Sequence, residues 1–325
     1  MKLLNIRPIL FQMMNTLKRV KIILALYNFL NKNKLRYQEA LYEKFQIRKK
    51  YYNLISSKDF PPDTIIDHPW LDQQNSVINL IHNEDFKKLP VKLQLSILEW
   101  SSNGFAIFKS YFNEEKVERI NEILKELLNK NKLYLKANRK IMHAIRYSEE
   151  LKNLVNAPEL LKVLNLIMGT EMELFQSVNF LKGSEDPPHS DFIHMSTFPY
   201  GYLIAVWIAL EDINSDNGPL YYYPGSHKLP YIMNEDYITS GHKWWGYNNK
   251  QAYSKKIESV IIENRCEKKV FLASKGDLLI WHANMLHGGS KVNDLSLSRK
   301  SMVLHYYGKN SIRYHEITGR PALQY

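Results

Sequence analysis

Val206-Trp207-Ile208-Ala209-Leu210-Glu211-Asp212 leads through Asp216-Asn217-Gly218-Pro219-Leu220 to Pro224-Gly225-Ser226-His227-Lys228. An aliphatic and aromatic run over 203–210 reads as a strand and stops at two acids. Asn217-Gly218-Pro219 carries turn chemistry, 220–224 reads as the next strand, and Pro224-Gly225-Ser226 turns the chain again. The same texture spreads outward. Residues 172–181, 269–273, 278–281 and 301–307 read as further strands, with a turn at Lys275-Gly276-Asp277. Upstream, 104–108 reads as a strand. Asn113 is placed to cap a helix whose first turn holds Glu114 and Glu115, with Val117, Ile120, Leu124 and Leu127 on its apolar face. A second helix is expected from Pro158 to Gly169. Residues 60–95, with Phe60-Pro61-Pro62, read as an irregular linker with short helices, and no internal repeat is visible. The pattern is α+β, mostly β: a sandwich or barrel flanked by a helical layer.

The chain has 325 residues, enough for one large domain, and its 45% apolar and 24% charged composition excludes whole-chain disorder. The single cysteine, Cys266, excludes an internal disulfide and a cysteine-type zinc site, and fits a reducing, cytoplasmic setting. The formal charge of +11 is uneven: residues 1–54 hold twelve Lys/Arg against two Glu, which leaves the remaining chain near neutral. Nucleic acid is therefore not the expected partner of the main body.

Residues 18–45 contain no Gly or Pro and read as one or two helices, with Val20, Ile23, Leu24, Tyr27 and Leu30 at helical spacing. The apolar run from Ile22 to Leu30 is too short to span a bilayer, and no signal-cleavage pattern follows it. Two readings stand. The segment is a basic amphipathic helix for an anionic membrane surface or a partner protein, or it packs on the body with its lysines solvated. The expected division is a basic helical extension over 1–60 and a main domain over 61–325.

His189-Ser190-Asp191 is the first chemical signal. On an extended strand an imidazole and a carboxylate two residues apart share a face, and His287 would complete two histidines and one carboxylate around a cation. The motif alone is weak. About one His-x-Asp/Glu is expected by chance from 11 His and 33 Asp/Glu, and two occur; the other, His82-Asn83-Glu84, falls in the irregular region. Context strengthens it. His282-Ala283-Asn284-Met285-Leu286-His287-Gly288-Gly289-Ser290 follows the strand over 278–281. Arg299 stands twelve residues past His287 and shares a strand face with Ser301. A 2-oxoglutarate molecule chelating iron through its keto acid end needs a bidentate donor for its far carboxylate, a task that suits Arg better than Lys.

At these residues the chain resembles the phytanoyl-CoA dioxygenase family of Fe(II)/2-oxoglutarate oxygenases, over residues 103–307. The likeness is sharpest in the three stretches quoted at the outset. It implies a double-stranded β-helix, the jelly-roll or cupin-like barrel, with His189, Asp191 and His287 as iron ligands and Arg299 gripping 2-oxoglutarate. Trp207 matches the family's tryptophan beside that cosubstrate, and Ser301 would stand with Arg299. Gln176 is either a further polar contact or an ordinary strand residue. His282 rivals His287; the Gly-Gly-Ser that follows His287 resembles the family's ending and allows a tight turn. His194, His227 and His305 read as packing or supporting histidines. The segment 231–265, with Trp244, Trp245 and Tyr247, is a lid over substrate or a surface excursion.

The implied cofactors are Fe(II), 2-oxoglutarate and O2. The implied reaction is hydroxylation of an unactivated C–H in a small or lipid-linked metabolite, with release of succinate and CO2. Asp191 disfavours halogenation, because it occupies the position a halide would need. Desaturation, ring chemistry and a non-catalytic binding role remain alternatives.

Overall fold

A computed structural model describes residues 20–61, 68–130, 132–133, 135, 140–237 and 250–324. Its helices of six residues or more are α1 (Lys21–Leu30), α2 (Glu39–Lys44), α3 (Ser76–Ile81), α4 (Val91–Leu98), α5 (Glu114–Asn129), α6 (Glu149–Val155), α7 (Pro158–Met168) and α8 (Lys250–Glu263). The strands are β1 (Phe105–Phe108), β2 (Lys140–Met142), β3 (Met172–Phe180), β4 (Ser196–Phe198), β5 (Leu203–Ala209), β6 (Leu220–Tyr222), β7 (Lys269–Phe271), β8 (Leu278–His282), β9 (His287–Gly289), β10 (Ser301–Gly308), β11 (Ile312–His315) and β12 (Arg320–Pro321).

Six strands form one antiparallel sheet in the order β1-β8-β5-β10-β3-β2, and two three-stranded sheets run β7-β6-β9 and β12-β11-β4. Side chains alternate across a strand, so the two faces of the large sheet have different partners. Ile204, Val206 and Ile208 of β5, Leu278 and Ile280 of β8, and Met302, Leu304 and Tyr306 of β10 face the helical layer and join the core of α5 and α7. Ala205, Trp207, Ala209, Leu279, Trp281 and Val303 face the other way and pack with Leu220, Tyr222 and Phe271 of β6 and β7. The site lies on this second side, between sheets.

The helical layer forms where its local chemistry calls for it. Asn113 Oδ1 accepts the Lys116 N–H at 3.0 Å and caps α5. The helix α7 opens on Pro158 and ends at Gly169, whose φ of +66° is left-handed. Residues 60–95 contain α3 and α4, as short helices were expected there, and the described part is mostly helical. The extension folds as α1 and α2 with shorter helical turns between them. Among the described residues no helix is long and apolar enough to cross a membrane.

Two expectations need correction. His189 and Asp191 do not lie on a regular strand: His189 makes an isolated antiparallel bridge to His287, and Asp191–Ile193 is a 3-10 turn. The physical reason is that backbone groups here bond elsewhere, with Ser190 N donating to Tyr253 Oη and His194 N to Asp191 O. The glycines after His287 do not form a tight turn either. Gly288 and Gly289 are strand residues of β9, paired with Tyr221 and Leu220. They are glycine because of close approach: a Cβ on Gly288 would sit 2.4 Å from Tyr221 Oη and 2.7 Å from Asp186 O.

Candidate metal centre

The bridge between His189 and His287 is closed by both backbone hydrogen bonds, His189 N to His287 O and His287 N to His189 O, each 2.9 Å. That pairing sets the two imidazoles side by side, with ring centroids 4.5 Å apart. The turn at Asp191 then swings its carboxylate inward. One ligand atom from each of His189, Asp191 and His287 lies within 4.8 Å of the others.

The orientation of each group is fixed from behind. His189 Nδ1 lies 2.9 Å from Pro187 O and His287 Nδ1 3.0 Å from Met285 O. A carbonyl only accepts, so both Nδ1 atoms carry the proton and both Nε2 lone pairs face the centre. Trp281 Nε1 donates to Asp191 Oδ2 at 2.9 Å, and His305 Nε2 lies 3.6 Å from the same oxygen. Asp191 Oδ1 is left toward His287 Nε2, 3.8 Å away. Burial works to raise the Asp191 pKa, but neighbouring His287 and His305 outweigh it and hold the carboxyl well below the usual carboxylate range. Burial pushes the His287 imidazole down to about 4, so it is neutral at physiological pH and free to ligate.

Arg299 closes the other end of the same cavity. It is 2% exposed, its Nε donates to Gly218 O at 3.1 Å, and one terminal nitrogen donates to Ser301 Oγ at 2.6 Å. The guanidinium lies over the rings of Phe180 and Trp207, 5.4 and 5.9 Å from their centroids. Burial lowers its pKa to about 10, which leaves it charged. Among the described residues no carboxylate forms an ion pair with it; Asp186 and Glu211 act on it only from a distance. A buried cation so placed calls for an anion from outside the chain.

The cavity measures about 360 Å³, and its wall includes His189, Asp191, His287, Arg299, Trp207 and Gln176. Ser301 is not in the wall; it touches Arg299 from behind. Among the described residues the buried Trp207 Nε1 has no hydrogen-bond partner. The turn block explains itself here: Asn217 Nδ2 donates to Ser298 O at 3.1 Å, and Gly218 presents the carbonyl that Arg299 uses. The Pro224-Gly225-Ser226-His227 block pins the approach to His287, with Leu286 N donating to Ser226 Oγ and Asn284 Nδ2 to His227 O.

The rival His282 stands elsewhere. Its Nε2 is 3.1 Å from Asp72, its Nδ1 accepts from Asn284 N, and its ring lies beside His227. His194 lines the cavity against His315. Glu84 pairs with Lys87 on a surface helix that Asn83 caps, so His82-Asn83-Glu84 is a helix start. Trp244, Trp245 and Tyr247 lie outside the described residues. The helix α8 that follows them reaches the site through Tyr253, whose hydroxyl accepts from the backbone between His189 and Asp191.

Sequence reading missed Trp281 and the role of Tyr253; His305, read as a packing or supporting histidine, stands beside Asp191. A signal existed for His305: it shares the inward face of β10 with Ser301 and Val303. The register slips between His305 and Tyr306, a bulge of the kind that re-aims side chains near sites.

The family model of phytanoyl-CoA dioxygenase (PhyH) matches residues 100–300. The chain belongs to the phytanoyl-CoA dioxygenase family. Its relatives include the peroxisomal phytanoyl-CoA dioxygenase of Rattus norvegicus, 22% identical over 245 residues, covering 68% of this chain and 69% of the rat protein. The phytanoyl-CoA dioxygenase domain-containing protein 1 of Danio rerio is 35% identical over 95 residues, 27% of this chain and 32% of that one. Among solved structures, the non-heme alpha ketoglutarate dependent carbocyclase SnoK from nogalamycin biosynthesis is similar with a TM-score of 0.56 at 15% identity, over 74% of this chain and 96% of SnoK. EctD from S. alaskensis, crystallised with 2-oxoglutarate and 5-hydroxyectoine, has a TM-score of 0.50 at 18% identity, over 65% and 74% of the two chains. Likeness at that level speaks for the fold.

Proposed function

We propose that this member of the phytanoyl-CoA dioxygenase family is an Fe(II)- and 2-oxoglutarate-dependent oxygenase that hydroxylates an unactivated C–H of a small or lipid-linked metabolite, releasing succinate and CO2. The observation that carries the reading is Arg299. A buried guanidinium without a carboxylate partner faces the cavity that also holds three converging ligand groups. A dicarboxylate fits both ends of that cavity, with a chelating end at the metal and a free carboxylate at the arginine. The site fits iron as well: two imidazoles and one carboxylate suit a ferrous ion and leave coordination positions open.

In this reading His189, Asp191 and His287 hold the iron and Arg299 binds the far carboxylate, with Ser301 orienting it. Trp207 and Phe180 pack against the guanidinium and exclude water, and the Trp207 N–H is available to the cosubstrate. Gln176 is a further polar contact on the wall. Trp281 and His305 grip Asp191 Oδ2, which leaves Oδ1 for the metal. When bound, iron and 2-oxoglutarate supply the oxidising power, with O2 as the oxygen source. The protein's part is to hold the target carbon in place and keep the oxidant from side reactions.

The facing sheets are read as a double-stranded β-helix, formed by a 61–325 domain with the 1–60 segment as an extension. The segment 231–265 with Trp244, Trp245 and Tyr247 is read as a cover over substrate, because Tyr253 on α8 touches the metal loop. The test is Fe(II)-dependent release of succinate from 2-oxoglutarate, followed by a metabolite-extract screen for a mass gain of one oxygen. Succinate release that ignores iron chelation would contradict the oxygenase. A coupled product lacking the added oxygen would contradict hydroxylation and favour desaturation or ring chemistry.

A further inference from the structure

Six of the sixteen exposed large apolar side chains among the described residues lie on the ten-residue helix α1: Ile22, Ile23, Leu26, Tyr27, Phe29 and Leu30. Its buried seam is only Leu24 and Asn28. Each residue turns a helix by about 100°. Ile22, Leu26 and Leu30 therefore point almost directly away from the Leu24–Asn28 seam, and Ile23 and Phe29 flank them. This arrangement inverts the ordinary amphipathic helix, in which the apolar face is the one that packs.

The border of this face is basic. Lys32 Nζ lies over the Phe29 ring at 5.2 Å. Phe29 meets Tyr52 edge-to-face at 5.9 Å, and Lys50 Nζ lies 6.0 Å from the Tyr52 ring centroid. Lys21, Lys34, Arg36 and Arg48 are exposed nearby in the chain, and residues 1–54 hold twelve Lys/Arg against two Glu. A helix of this length extends about 15 Å and cannot span a bilayer of about 30 Å.

We propose that α1, bordered by Lys32 and Lys50, is a docking surface for an anionic lipid bilayer and lies in the plane of its headgroups. The exposed apolar arc enters the headgroup–acyl boundary while the lysines meet lipid phosphates. The charge selects this occupant: a second copy of the chain would bring the same cations against these, which costs affinity. The inference uses none of the metal-centre residues, so it stands or falls apart from the proposed reaction.

The test is co-flotation of the full chain with vesicles of phosphatidylcholine alone and of phosphatidylcholine with phosphatidylglycerol. Two exposed-face variants are compared: Ile22→Gln with Leu26→Gln, and Lys32→Gln with Lys50→Gln. Circular dichroism and thermal unfolding check that each variant is folded before its flotation is compared. The protein should float with the anionic vesicles, and high salt should release it. The apolar pair should weaken partitioning at least about tenfold. The lysine pair should weaken the preference for anionic over neutral vesicles. The proposal is overturned if the protein does not float with anionic vesicles, or if the apolar pair floats like the unmodified chain. It is also overturned if light scattering shows a dimer that the apolar pair dissolves, without any vesicle binding; the face would then belong to a second copy.

Discussion

Asp191 has one oxygen held and one oxygen offered. Trp281 Nε1 donates to Oδ2 and Oδ1 lies toward the His287 imidazole, so the carboxylate should bind metal through a single oxygen. Trp281→Phe removes the N–H and also trims the buried indole to a single ring. It should lower Fe(II) affinity about 10- to 100-fold, measured by anaerobic titration, and lower the unfolding temperature through the space it leaves. His282→Gln should leave Fe(II) affinity unchanged, because His282 faces Asp72 and not Asp191. Arg299→Gln removes a buried charge whose anionic partner comes from outside. The loss should be about 2–5 kcal/mol of 2-oxoglutarate binding, read as a raised requirement for 2-oxoglutarate in succinate release. That His189, Asp191, His287 and Arg299 meet at one cavity was legible because their residue types and the stretches around them suggest a shared anion and cation site. Trp281 and Tyr253 were not, since their roles depend on which loop and helix pack behind the site.

At the level of elements, the strands whose bounds were read most closely were the long aliphatic ones. β3, β5, β8 and β10 come out within a residue or two of the expected bounds because each alternates two apolar faces. β1, β6 and β7 are only three or four residues long and were legible because glycine or turn residues stand near them, whereas β2, β4, β9, β11 and β12, two to four residues long, went unseen. β9 is also glycine-rich, and glycine has low strand propensity. That strand nevertheless carries His287, and its glycines admit Tyr221 and Asp186 at close range. Gly288→Ala should therefore cost about 1–3 kcal/mol in chemical denaturation and lower Fe(II) affinity by shifting His287. By contrast Asn113→Ala, which removes the cap of α5 on the far side of the large sheet, should cost about 1 kcal/mol and leave metal affinity alone. The comparison separates an element that builds the site from one that supports the fold.

Over the whole molecule the chain divides by charge. The basic extension supplies α1 and its outward apolar face, while the near-neutral body supplies the cavity. Three histidines, His227 and His287 buried and His315 half-buried, give the body a pH dependence. Burial pushes His287 down to about 4, and His227 and His315 to about 3. All three are neutral in the metal-free fold, whereas the unfolded chain takes up their protons below about pH 6.5. Their stability contribution is complete above that pH and declines as the pH falls toward about 4. The urea midpoint of the metal-free protein should fall over this window, and His227→Gln should reduce the slope. The most direct test of the central claim is calorimetric titration of 2-oxoglutarate into the anaerobic Fe(II)-loaded protein. The account predicts one site per chain that disappears when iron is omitted or Asp191 is changed to Ala, and weakens strongly in Arg299→Gln. Equal 2-oxoglutarate binding with and without iron, and in both variants, would contradict it.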